Sequence, residues 1–127
     1  LQFAHGTGHG VGHVLSVHEG PASISKRGGV AIEAGMVLSN EPGYYLPDHY
    51  GIRLENLVVA RHASDPNFLC FETLTLCPFD RRLIRAELLS KIERQWVDDY
   101  HQKVRTELTP FLSEACQTWL AAACAPL

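Results

Sequence analysis

Four of the seven histidines fall in one short opening stretch, His5-Gly6-Thr7-Gly8-His9-Gly10-Val11-Gly12-His13 followed by His18-Glu19-Gly20-Pro21. Two glutamates lie further on in apolar surroundings, Glu41 at the end of Met36-Val37-Leu38-Ser39-Asn40-Glu41 and Glu55 within Gly51-Ile52-Arg53-Leu54-Glu55-Asn56. A buried carboxylate needs a cation or several hydrogen-bond donors, because unpaired burial is costly. An ion pair with Arg53 or with a histidine would meet that need. So would a metal ion, and imidazole mixed with carboxylate suits Mn²⁺, Co²⁺, Zn²⁺ or Fe²⁺. His9, Glu41 and Glu55 form the candidate ligand set, enough with a water for a single zinc. A two-ion site needs further carboxylates, for which only Glu19 and Glu72 are well placed. Asp48, Asp65, Asp80, Asp98 and Asp99 fall in loops or on a helix. His13 suits a surface position as well as a site, and His49, His62 and His101 read as background.

These side chains must be positioned by a few short elements. Gly6, Gly8, Gly10 and Gly12 make Phe3 to Gly12 a tight loop. His13 to Glu19 has strand alternation with Leu15 and Val17 on one face, and Gly20-Pro21 ends it. Residues 22–35 read as an exposed connection with a short edge strand around Val30-Ala31-Ile32. Met36 to Glu41 is a buried strand closed by Pro42-Gly43, Tyr44 to Tyr50 is an aromatic loop walling a cleft, and Gly51 to Ala60 is the strongest strand. Its alternation places Arg53 and Glu55 on one side. Leu69 to Cys77 is a further strand. Ser90 with Glu93 makes a capping box for a helix whose apolar stripe is Ile92, Trp96, Val97, Tyr100 and Val104. Thr109-Pro110 then opens a last helix running to Ala123. A mainly antiparallel sheet with helices on one face follows from this order.

A chain of 127 residues with 46% hydrophobic content supports one domain with a modest core. The net charge of −3, from 11 basic and 14 acidic residues, provides no basic field for a nucleic-acid partner. No apolar run reaches membrane-spanning length, and the start lacks a signal-peptide pattern, so neither a membrane partner nor export is expected and the cytoplasm is the default location. Cys70, Cys77, Cys116 and Cys124 show no metal or redox spacing and are expected to be buried, reduced thiols. The functional segment starts at once after Leu1-Gln2-Phe3-Ala4, so the other half of the cleft is expected from outside these residues.

Together, His5 to Gly12, Val17-His18-Glu19-Gly20-Pro21, Gly35-Met36, Asn40-Glu41-Pro42-Gly43-Tyr44-Tyr45, Gly51 to Asn56, Phe71 to Pro78 and Trp96 to His101 resemble the C-terminal part of aminopeptidase P, the Xaa-Pro aminopeptidase, one of the pita-bread metallopeptidases. The resemblance covers essentially the whole chain. It implies an α+β fold, the C-terminal half of a pita-bread, with an antiparallel sheet and C-terminal helices packed on one face. Residues 1–86 would be half of the catalytic domain and 87–127 a helical extension on it. The implied activity is hydrolysis of the N-terminal Xaa-Pro bond with two divalent ions, Mn²⁺ first and Zn²⁺ or Co²⁺ next. His9 and Glu41 would share one ion and Glu55 would bridge both. Glu41 would also handle the proton of the attacking water, His18 and His5 would face the substrate, and Arg53 would organise the carboxylates.

The family pattern adds two aspartates upstream of this histidine segment, and this chain starts after them. The resemblance therefore implies a fragment that is inactive alone, holds at most one ion weakly, and has as partners the missing upstream half, an Xaa-Pro peptide and a second copy in a homodimer. A non-catalytic binding or dimerisation module of the same fold is the alternative. A single-zinc hydrolase complete in these residues is a third reading.

Overall fold

The structure, a computed structural model, describes residues 3–14 and 16–127. They fall into two compact units divided between Thr75 and Leu76, so the stretch from Leu76 to Ala86 goes with the helices.

In the first unit every strand pairing is antiparallel. Gly8–His9 (β1) pairs with Ser23–Ile24 (β2), Val37–Asn40 (β3) and Leu69–Thr73 (β7) flank Asn56–His62 (β6), and Gly43–Leu46 (β4) forms a hairpin with Tyr50–Arg53 (β5). Strand β6 is central because its Val58, Val59 and Ala60 are all buried, as suits a strand covered on both faces. Leu38 stands opposite Val58, and these two with Ala22 make the core, against which Ile24, Ile32 and Met36 pack.

The glycine-rich opening is more ordered than a loop. It runs along β3, with Gly10 bridging to Leu38, Glu41 N–H donating to Thr7 O at 2.7 Å and Val11 N–H to Val37 O at 3.1 Å. A Cβ on Gly8 would run into the Ser39 carbonyl, and one on Gly10 into that of Glu19. Only glycine permits so close an approach of backbones.

Several expected elements differ. The described residues of His13 to Glu19 form no strand, and Leu15 lies outside the described residues. Side chains satisfy the backbone locally instead: Glu19 Oε2 accepts the His13 N–H at 3.2 Å, and the Ser16 hydroxyl donates to the His18 carbonyl at 2.8 Å. No strand forms at Val30-Ala31-Ile32; Ile32 is used in the core. The expected aromatic loop is the β4–β5 hairpin, whose turn is made by Asp48 in the left-handed region at φ 61°. The expected strand Gly51 to Ala60 breaks after Arg53, because Leu54 N–H turns to Pro42 O at 3.2 Å and the chain passes from the hairpin into the sheet. Strand β7 stops at Thr73, short of Cys77, with Thr75 Oγ1 taking the Leu57 N–H at 2.8 Å.

The second unit is helical. Lys91–Leu108 (α1) starts at the expected capping box: the Ser90 hydroxyl accepts from the Glu93 N–H and the Glu93 carboxylate from the Ser90 N–H. The last helix does not begin at Pro110. Thr109–Phe111 is a 3-10 turn, and Ser113 caps Glu114–Ala123 (α2). Two exposed residues of the expected stripe, Ile92 and Trp96, leave the packing to Tyr100 and Val104, which meet Leu120 and Cys124 with Leu76, Phe79, Leu108 and Leu112 around them.

His101, expected to be background, is fully buried on α1. Its Nε2 accepts the Phe79 N–H at 3.1 Å, while Nδ1 finds no partner among the described residues. Burial pushes its pKa below the ordinary histidine value, the nearby Asp98 opposing and Arg81 adding to that effect. Of the four thiols only Cys124 is buried; Cys70, Cys77 and Cys116 are exposed, and all four are free. Among the described residues no helix is long and apolar enough to cross a membrane.

Both tryptophans, Trp96 and Trp119, lie in the second unit, so their fluorescence reports its unfolding. Leu120→Ala should remove about 2–5 kcal/mol from that transition in denaturant, whereas Ile92→Ala at an exposed site should change it by less than about 0.5 kcal/mol. Because His101 has a lowered folded pKa, the unfolded chain takes up its proton first as pH falls below about 6.5. Stability of this unit is therefore full above that pH and declines below it. His101→Gln, which keeps an acceptor for Phe79, should flatten the decline; an equal slope in the variant would assign it to other groups.

Candidate metal centre

Glu41 follows β3 directly, and its side chain is 9% exposed. Its Oε2 meets Arg53 Nη1 at 3.2 Å, and its Oε1 accepts the Ser39 hydroxyl at 2.8 Å and faces His9 Nε2 at 3.0 Å. Strand register explains the convergence. Ser39 and Glu41 sit two apart along one chain direction, β1 lies alongside β3, and Arg53 ends β5 opposite Gly43, close to Glu41 in sequence.

The orientation of the His9 ring is set from its far side. Nδ1 lies 2.8 Å from Gly10 O, and a carbonyl only accepts, so Nδ1 carries a proton. In the neutral ring Nε2 then presents a lone pair to a carboxylate oxygen, and two acceptors at this distance require a cation between them. A second proton, making imidazolium, meets that requirement. So does a metal ion: donors 3.0 Å apart can both reach one ion at bond lengths of about 2.0–2.2 Å. Anchoring one ring nitrogen on a backbone carbonyl and leaving the other free is also the usual arrangement of a ligating histidine. The donor chemistry therefore fits a divalent ion.

A second network adjoins the first. His5 Nδ1 lies 2.7 Å from Gly6 O, so it too is protonated there, and Nε2 is bonded to the Tyr45 hydroxyl. Tyr45 in turn accepts from Arg53 Nε at 3.1 Å. The proton order is thus Arg53 to Tyr45 to His5. The Tyr45 ring is placed by two glycines, since a Cβ on Gly43 or Gly51 would run into it. The Arg53 pKa is raised above the ordinary guanidinium value, first by its hydrogen bond to Tyr45, with smaller contributions from Glu41 and Glu55.

Of the expected site residues, His5, His9, Glu41 and Arg53 come together. His18 is exposed and its ring lies over that of His9, with centroids 4.1 Å apart and planes at 39°. Glu55 is exposed, and among the described residues no three His, Cys, Asp or Glu side chains gather as a metal set, so Glu55 does not complete the His9–Glu41 pair. Glu19 binds the His13 N–H, and Glu72 pairs with Arg61 at 2.8 Å on an exposed surface. His13, His49 and His62 are exposed. Two members of the network were not foreseen. Ser39 carries a sequence signal, a hydroxyl two residues before Glu41 on the same strand face. Tyr45 carries a weaker one, an aromatic in a segment bounded by Gly43 and Gly51, which leave room for its ring.

Comparison with known proteins follows the same lines. Residues 1–62 match the model of metallopeptidase family M24, and residues 67–127 match that of the C-terminal region of peptidase M24. A probable Xaa-Pro aminopeptidase P of Coprinopsis cinerea is 49% identical over 121 residues, 88% of this chain and 20% of the relative. Aminopeptidase P2 of Arabidopsis thaliana is 45% identical over 94% of this chain and 18% of its own length. The crystal structure of X-prolyl aminopeptidase from Caenorhabditis elegans, described as a cytosolic enzyme with a di-nuclear active site, superposes with a TM-score of 0.89 at 40% identity, covering 100% of this chain and 22% of that one. The chain thus spans about a fifth of the length of these relatives. The fold is α+β, the C-terminal half of a pita-bread. Two family models that between them take in nearly every residue, and a structural likeness along the full chain, carry the same conclusion: the chain belongs to metallopeptidase family M24 and is similar to the C-terminal part of its Xaa-Pro aminopeptidases.

Proposed function

We propose that this chain supplies one side of the metal site of a peptidase that removes the N-terminal residue from Xaa-Pro peptides. The observation that carries it is His9 Nε2 facing Glu41 Oε1 at 3.0 Å while His9 is anchored through its other nitrogen. His9 and Glu41 would hold one divalent ion, and Glu55 would join as the bridging carboxylate of a two-ion centre. When bound, such ions acidify a coordinated water and polarise a peptide carbonyl. Manganese is the ion we assign first, with zinc and cobalt next.

The chain's own residues supply the rest. Arg53 neutralises Glu41 from Oε2 and leaves Oε1 to the metal side. Glu41 is the acceptor for the proton of the attacking water. To His18, exposed and with its ring beside that of His9, we assign donation to the carbonyl oxygen as charge develops there. To His5, whose ring is bonded to Tyr45, we assign the proline side of the substrate. With only two ligands gathered, these 127 residues alone are expected to hold at most one ion weakly and to lack turnover. A cytoplasmic location agrees with the worm relative being described as cytosolic. For the second unit we place a homodimer contact, the function of a dimerisation module in the alternative reading. Phe111 and Trp119, 84% and 64% exposed, leave large apolar surface there for a partner copy.

In the full-length polypeptide, His9→Ala and Glu41→Ala should each lower kcat/KM for an Xaa-Pro peptide by at least about 1000-fold, with chelator abolishing wild-type turnover and Mn²⁺ restoring it. Substitution at His49, an exposed histidine of the hairpin turn, should leave turnover unchanged. Full activity of either alanine variant, or of the chelated enzyme, would overturn the assignment.

A further inference from the structure

Among the described residues, Ser39 is the one fully buried hydroxyl beside the centre. Its oxygen accepts the backbone N–H of His9 at 3.0 Å, and its own proton goes to Glu41 Oε1 at 2.8 Å. These directions are forced, because an N–H only donates and the carboxylate only accepts. A single side chain therefore ties the backbone of one metal-side residue to the carboxylate of the other. Among the described residues nothing else performs both tasks: Arg53 acts on the opposite carboxylate oxygen and is half exposed, and the Gly10 carbonyl takes the His9 ring and the Glu19 N–H.

We propose that Ser39 is a positioning residue of the metal centre, aiming Glu41 Oε1 and fixing β1 beside it so that both donors face one cation. This rests on His9 and Glu41 being metal ligands. Without the hydroxyl, Oε1 loses its donor, the carboxylate is free to swing toward Arg53, and the His9 N–H is left without its partner. The chain of bonds from His9 N–H through Ser39 to Oε1 runs within one layer of backbone, since Gly8 admits the Ser39 carbonyl against β1. Threonine keeps the hydroxyl and suits a strand; alanine removes it.

The test uses the metal-stripped full-length polypeptide and Mn²⁺ as the probe, with binding read by titration calorimetry, turnover on an Xaa-Pro peptide, and the melting transition in chelator. Ser39→Ala should raise the Mn²⁺ dissociation constant about 10–100-fold and lower kcat/KM in parallel at subsaturating metal, while Ser39→Thr stays within about threefold of wild type on both. Should Ser39→Ala fail to melt cooperatively, Ser39→Cys, of similar size but a weak donor, takes its place with a loss of affinity expected in the same direction. A Mn²⁺ affinity in the donor-poor variant equal to wild type overturns the proposal, whatever its melting temperature, and so does a Ser39→Thr variant that folds like wild type yet binds as weakly as alanine. His9→Ala separates the two levels. If it binds Mn²⁺ and turns over as wild type does, the metal-site assignment itself fails; if it is inactive while Ser39→Ala is normal, only the role of Ser39 fails.

Discussion

The first unit is organised around a contact that is unfavourable without a positive charge: an imidazole nitrogen and a carboxylate oxygen 3.0 Å apart, on a side chain almost removed from water. Both groups are held there by bonds made elsewhere on them. The Gly10 carbonyl fixes the His9 ring, Ser39 fixes Oε1 and Arg53 fixes Oε2. The arrangement is preorganised in the sense that each donor has already lost its freedom before a cation arrives, which is where the cost of assembling a site ordinarily falls. The glycines are part of the same device. At Gly8 and Gly10 a side chain would drive β1 away from its neighbours, and His9 sits between them.

What the amino-acid order made legible was whatever depended on local chemistry. The capping box at Ser90 and Glu93 appeared as expected, because two side chains three apart satisfy two backbone donors whatever packs around them. His9 with Glu41 was legible for a similar reason, a buried carboxylate in need of a partner. The misses came where the tertiary setting chose between options that the pattern allowed equally. Gly51 to Ala60 alternates well enough for one strand, yet the Pro42 carbonyl captures Leu54 N–H and divides it. Tyr44 to Tyr50 has the aromatics of a strand and the Pro-Asp of a turn, and both are used in one hairpin. His13 to Glu19 has strand alternation, but serine and glutamate side chains bond the backbone first.

The second unit shows the same limit in a different form. Apolar spacing along α1 ranks Ile92, Trp96, Tyr100 and Val104 alike, whereas the structure exposes the first two and buries His101 beside the last two. The physical reason is that position 101 meets an unsatisfied backbone N–H, that of Phe79, and a histidine there both fills space and accepts it. A pattern that scores hydrophobicity has no means of seeing that need. Burial of a polar side chain is decided by the donor it must satisfy, and the donor lies 22 residues away.

Arg53 and Glu55 bring these two levels together. Alternation in an unbroken strand places both on one side, and then both would approach Glu41. The break at Leu54 separates them: Arg53 ends β5 and is carried by the hairpin to Glu41, while Glu55 falls between that hairpin and β6, exposed and held by neither ladder. Its link to the centre is the attraction it shares with Glu41 for the Arg53 charge. Two carboxylates competing for one guanidinium repel each other across it, and a divalent ion relieves that repulsion more fully than a single arginine can. Glu55, outside the assembled pair, is thus the carboxylate whose placement has the most to gain from added positive charge.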